Sequence, residues 1–203
     1  VILLTANTNT GWANHINKVV CHASANFIVV AAGDDISYPR RTEKIFEFYQ
    51  STGRPPVIFS GLDDIENDGT PWNGIPVNQI EQSLSDFIIN PTVRGATCAW
   101  DKEIFTKFPK LGSFVTAEDM VLPVRAYLLG RPPKFLDEKL IKYRRDRKRV
   151  PKNLAVRFFW QIWPQYAAIK QNIIDANGVD KLVRLLESSA IESVKCRQLK
   201  VEF

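Results

Sequence analysis

The sequence predicts an α/β fold: a sheet flanked by helices, with a helical appendage behind it. Two observations carry that prediction. Apolar runs of strand length alternate with helical periodicity up to about residue 145, and after Pro151 the texture is helical alone. The expected division is therefore a sheet-bearing domain over 1–150 and a helical extension over 151–203. With 203 residues, 45% hydrophobic and 24% charged, the chain has material for one ordinary core and reads as soluble and globular. No repeat, low-complexity segment, signal peptide or bilayer-length apolar stretch stands out.

Taken in order, "VILLTAN" reads as a strand. "GWANHINKVVCHAS" follows as a helix with Trp12, Ile16, Val19, Val20 and Ala23 on one face. "NFIVVAA" is a continuous apolar run, the pattern of a strand buried on both sides. Tyr38-Pro39 opens a second helix with Ile45, Phe46 and Tyr49 inward and Gly53 at its end. "PVIFSGL" is a strand leading into the turn-rich "DDIENDGTPWNG", and residues 81–90 read as a short helix. "RGATCAW" reads as a strand, with Asp101 capping a helical turn at "KEIF". "TAEDMVLPVRAYLLGR" is helical to Gly130, and "PPKFLDEKLIKYRR" alternates like an edge strand. Helical periodicity then runs to about residue 195, with a kink expected at Pro164 and an amphipathic face of Val179, Leu182, Val183, Leu186 and Ile191.

The net charge of +5 is local. Lys139 to Lys152 holds eight Lys/Arg against one Asp, and the remainder is slightly acidic. One basic patch suits phosphate or a membrane surface; the absence of any nucleic-acid motif excludes a general nucleic-acid binder. Phe158, Phe159, Trp160, Ile162, Trp163 and Tyr166 follow the patch. They suit a peripheral membrane contact or packing against the sheet or another subunit, and helical spacing favours packing. Cys21, Cys98 and Cys196 are too scattered for a disulfide framework, and His15 and His22 are too few for a zinc site.

Three constellations carry chemistry. Asp34 and Asp35 end the "FIVVAA" run, where an α/β sheet places its ligands. Paired carboxylates there repel unless a hard divalent cation with a bound phosphate joins them, although acids before a helix also occur for the dipole alone. Glu118 and Asp119 open a helix; one would serve as a general base, while Thr116-x-x-Asp119 has the spacing of a capping box. Asn9, Gly11 and Asn17 surround a strand-to-helix turn that either approaches a ligand or only turns. Phosphate-loop, dinucleotide and hydrolase signatures are absent.

The ordered pieces "NTNTGWANHIN", "FIVVAAGDDISYPRR", "VIFSGLDDIENDG", "RGATCAWDKEIFTKFP", "AEDMVLPVRAYLLG" and "LDEKLIKYR" resemble family 2 glycosyltransferases of the GT-A fold. The resemblance implies a GT-A-like, Rossmann-like mixed sheet flanked by helices. It implies that Asp34 coordinates a divalent metal, Mn²⁺ or Mg²⁺, on the donor diphosphate, with Asp35 beside it. Asn9, Gly11, Asn17 and Arg144 would join them in donor binding. Asp119 would deprotonate the acceptor hydroxyl, and Glu118 would position it. Two departures stand out: Ala32 occupies the place of an acid that touches the donor ribose, and Asp146 stands near where a histidine follows the arginine.

By this resemblance the chain moves a sugar, with inversion, from a nucleotide-diphosphate donor to a saccharide or lipid-linked acceptor in bacterial surface-polysaccharide synthesis. Its expected place is the cytoplasm, at the inner face of the membrane. "VILLTAN" would be the family's third strand. The first two strands, with their base-binding acids, have no counterpart, so a fragment, a truncated reading frame or a gap-filling partner is expected. The competing expectation is a non-catalytic remnant acting as a homo-oligomeric interaction module.

Overall fold

Chain order runs α1 (Trp12–His22), β1 (Phe27–Val29), β2 (Ile36–Ser37), α2 (Arg41–Ser51), β3 (Val57–Ile65), α3 (Leu84–Ile89), β4 (Cys98–Asp101), α4 (Glu103–Thr106), α5 (Leu122–Leu128), β5 (Lys134–Arg144) and α6 (Leu154–Asp175). Single 3-10 turns form at Gly95–Thr97 and Glu118–Met120, and a further helix covers 179–189. The computed structural model describes residues 2–76, 78–89, 91–145 and 153–189.

The strands form one mixed sheet in the order β1-β4-β3-β5-β2. β3 and β5 pair in parallel, and the other neighbours are antiparallel. β3 is central because its apolar run is covered on both faces. Val57 and Phe59 enter the larger core with α1, α3 and α5, while Ile58 faces Ile45, Tyr49 and Leu140 on the α2 side. The pairing of β3 with β5 slips at Gly61, where Ser60 faces Leu136 and Gly61 faces Lys139. The missing side chain makes room for the Glu138 carbonyl, which would stand 3.0 Å from an added Cβ.

The helices after residue 153 share the main core through Ala168, Ala176 and Leu182. They are tied to it by a fully buried ion pair. Arg125 meets Asp175 through Nε at 2.6 Å and Nη2 at 3.0 Å, and donates its remaining bonds to the carbonyls of Ile104 and Pro109. Four of the five guanidinium donors are used, two on Asp175 of α6 and two on backbone carbonyls.

Several sequence expectations are corrected. Residues 2–6 form no strand, and Ile2 and Leu3 are 73% and 83% exposed. β propensity makes a strand only where a ladder partner exists, and the outer edge of β1 carries none among the described residues. For the same reason β1 is three residues long and half-buried, not buried on both sides. The buried face of α1 is Ala13, Ile16 and Val20; Trp12 and Val19 stay partly exposed, as does Phe46 on α2, which packs on the rings of Phe27 and Tyr49. β5 lies inside the sheet, although β2 covers only Ile141 and Lys142. α6 runs on through Pro164.

The expected turn at "KEIF" forms as read, with Asp101 accepting the Glu103 N–H at 2.9 Å. Asp146 and the basic residues Arg147 to Lys152 lie outside the described residues, as do Ile191, Cys196 and the side chains of Phe158, Phe159 and Trp160. Of the described basic patch, Lys139 pairs with Asp63 and Arg145 with Asp64. No described helix is long and apolar enough to cross a membrane.

Candidate functional site

The antiparallel pairing of β2 with β5 sets Ile36 against Lys142, so the turn just before β2 meets the end of β5. Asp34 and Asp35 occupy that turn. The Arg144 N–H donates to Asp35 Oδ1 at 2.7 Å, and Arg144 Nε donates to the Asp34 carbonyl at 2.8 Å. The Arg144 guanidinium also donates to the carbonyls of Glu66 and Asn67, which straps three chain segments together. Behind them Arg41 is buried, bonded to Ser37 Oγ and the Ala96 carbonyl, and its charge acts on Asp35.

Asp35 Oδ2 is buried with no hydrogen-bond partner. Burial raises the Asp35 pKa, the Arg144 N–H opposes that, and the Asp34 charge adds to it. A hard divalent cation fits these residues: one orphaned buried carboxylate oxygen on Asp35 and a second carboxyl on the preceding residue, Asp34. No group of three or more His, Cys, Asp or Glu converges among the described residues. The remaining ligands would then be phosphate and water oxygens, the coordination Mg²⁺ prefers.

The second acid pair sits on the 3-10 turn before α5. Glu118 is 3% exposed and accepts a hydrogen bond from the Trp12 indole. Asp119 Oδ2 accepts the Gly95 N–H at 2.9 Å. Gly95 is required by proximity, since a Cβ there would lie 2.3 Å from Glu118 Oε1. Burial, with the Asp119 charge second, pushes Glu118 up to about 7. Burial also raises Asp119, against the Gly95 N–H and the Arg94 charge. The capping box expected from Thr116 does not form: the turn has no side-chain cap, and the Asp119 carboxylate is turned to Gly95.

One cleft of about 1150 Å³ joins the two acid pairs. Asp34, Asp35, Arg144, Glu118 and Asp119 all line it, together with apolar side chains of α1 and β1. A smaller cleft of about 760 Å³ lies by Phe27, Phe46 and Tyr49; its one acid, Asp101, already accepts bonds from Tyr49 and Glu103. Asn9, Gly11 and Asn17 are not among the lining residues of the larger cleft. Asn9 accepts the Gly11 N–H at 2.9 Å in a local turn. Asn17 clamps the backbone of Leu111 through both amide atoms.

Trp12, Trp72, Arg94 and Gly95 line the cleft and were not legible as site residues. Trp12 carried the signal of a core face, and Gly95 that of a strand; the neighbours that redirect them are far away in sequence.

No family model and no curated protein matches this sequence. Solved structures match it in fold. S. aureus TarS matches over 69% of this chain and 25% of that one, with a TM-score of 0.51 and 14% identity. Residues 1–349 of S. aureus TarS, alone and in complex with UDP-GlcNAc, match over 68% of this chain at 17% and 16% identity, each with a TM-score of 0.49. They are covered over 42% and 40% of their own length, so this chain spans a quarter to about two fifths of the structures it matches. The likeness is one of fold: a mixed, GT-A-like α/β sheet flanked by helices.

Proposed function

We propose that this chain carries the reaction cleft of an inverting, metal-dependent glycosyltransferase. It would move a sugar from a nucleotide-diphosphate donor to the hydroxyl of a saccharide or lipid-linked acceptor, in bacterial surface-polysaccharide synthesis at the cytoplasmic face of the membrane. One observation carries the reading: a single cleft holds two carboxylate pairs, and one pair includes the orphaned Asp35 Oδ2. The GT-A-like fold supports it.

Asp34 and Asp35 would hold Mn²⁺ or Mg²⁺ at the donor diphosphate. When bound, that cation supplies charge neutralisation for the leaving diphosphate. Asp119 takes the proton from the acceptor hydroxyl, and attack opposite the leaving group inverts the anomeric carbon. The Gly95 N–H fixes the Asp119 carboxylate, and the Trp12 indole fixes Glu118 beside it. The raised pKa of both acids brings the base nearer to the working pH, where proton transfer is most effective.

Calorimetry with UDP and Mn²⁺ tests the proposal. Wild type binds UDP in a metal-dependent way, and Asp34→Ala weakens binding at least tenfold. Metal-dependent binding that survives Asp34→Ala unchanged refutes the site. A second reading, an oligomeric interaction module, is favoured by the open edge of β1 and the exposed Ile2 and Leu3. Light scattering that finds a stable assembly, with no affinity for UDP, selects that reading instead.

A further inference from the structure

The arginines that line the cleft are held differently. Arg144 is tied to three backbone carbonyls, and Arg145, whose Nε makes no hydrogen bond, has its charge compensated by Asp64 in an ion pair at 2.8 Å. Arg94, next to the Gly95 that bonds Asp119, lines the cleft with its Nε buried and lacking a hydrogen-bond partner. None of the ion pairs among the described residues includes it.

Its backbone, by contrast, is firmly held. The Arg94 N–H donates to the buried Gln79 at 2.7 Å, and its carbonyl accepts from the Thr97 N–H and hydroxyl at 2.8 Å each. The next residue, Gly95, is the one that holds Asp119. Arg94 thus projects from a fixed point beside Asp119, close enough for its charge to act on that carboxyl. A buried guanidinium Nε without a hydrogen-bond partner is costly, and the planar fork is shaped for two oxygens of a phosphate or carboxylate.

We propose that Arg94 recognises an oxyanion on the acceptor, so that the acceptor is a hydroxyl compound carrying a phosphate or carboxylate. The inference rests on the sugar-transfer reading of the cleft and names its substrate class. The donor diphosphate offers the same chemistry. Position decides between them: Arg94 adjoins Gly95, which holds Asp119, the group that acts on the acceptor, while Arg144 is bonded to Asp35 and the Asp34 carbonyl.

The test is a ligand-observed NMR titration of glycerol 3-phosphate, glycerate and neutral glycerol in the presence of UDP and Mn²⁺, with UDP affinity measured separately by calorimetry. Wild type binds the two anions more tightly than glycerol. Arg94→Gln lowers anion affinity at least about tenfold and leaves UDP affinity within about threefold. Arg94→Lys, which keeps the charge and loses the fork, falls between. Circular dichroism checks the fold of each variant. Equal affinity for the anions and glycerol in wild type overturns the inference, as does unchanged anion affinity in Arg94→Gln. A loss of UDP affinity in Arg94→Gln with the anions unaffected also overturns it, by assigning the arginine to the donor. Failure of wild type to bind UDP at all is a different result, and removes the sugar-transfer reading itself.

Discussion

Replacing Glu118 with glutamine removes a buried negative charge while keeping an oxygen for the Trp12 indole. The wild-type carboxyl holds its proton up to about pH 7 in the folded protein, against 4.5 ordinarily, chiefly because it is buried. The folded state therefore binds the proton more tightly than the unfolded chain. Its contribution to stability is complete below pH 4.5 and is lost as pH rises through 7. At about 1.4 kcal/mol per pH unit, that gap is worth about 3 kcal/mol. Glutamine mimics the protonated acid and escapes the loss. Glu118→Gln should match wild type within about 1 kcal/mol at pH 5 and exceed it by about 3 kcal/mol at pH 8.5. In a chain of this size that is roughly 6–12 °C in melting temperature. Differential scanning calorimetry from pH 5 to 8.5 measures it. Parallel pH slopes for the two proteins, or a less stable Glu118→Gln at pH 8.5, would refute the argument that burial strains this acid. A strained acid in a cleft is the signature of a group retained for chemistry at a cost to the fold.

Gly95→Ala places a methyl group 2.3 Å from Glu118 Oε1, so the Glu118 carboxyl must shift from the position in which it meets the Trp12 indole. Donor hydrolysis should fall at least tenfold with the protein still folded, and an unchanged rate would remove Glu118 from the machinery. Asp175→Ala leaves the fully buried Arg125 charge uncompensated and should cost about 3–5 kcal/mol in urea denaturation. The double change Arg125→Met with Asp175→Leu should recover much of that loss. Asn17→Ala removes both hydrogen bonds to Leu111 and should cost about 1–3 kcal/mol. Its UDP affinity should equal that of wild type; a tenfold loss would return Asn17 to the donor site.

Much of the fold was legible because its causes are local. The apolar run at Val57–Phe59 is buried wherever it sits, and Asp101 caps the turn that follows it in sequence. The acid pairs were legible as chemistry because adjacent carboxylates carry their own electrostatic signature. Trp12 was not legible, because a tryptophan at helical spacing looks the same whether it faces a core or an acid 106 residues away. Gly95 and Arg94 failed for the same reason. A glycine needed for close approach and an arginine left without a partner are defined only by what surrounds them.

By itself, then, the sequence determined the alternation of strands and helices and the identity of the acids, since both follow from periodicity and charge along the chain. The tertiary structure alone decided that Asp35 meets Arg144 across 109 residues and that both acid pairs face one cleft. It also decided that residues 2–7 stay out of the sheet. Those outcomes depend on strand register and on which ladder edges find partners, and such contacts between distant segments leave no trace in local pattern.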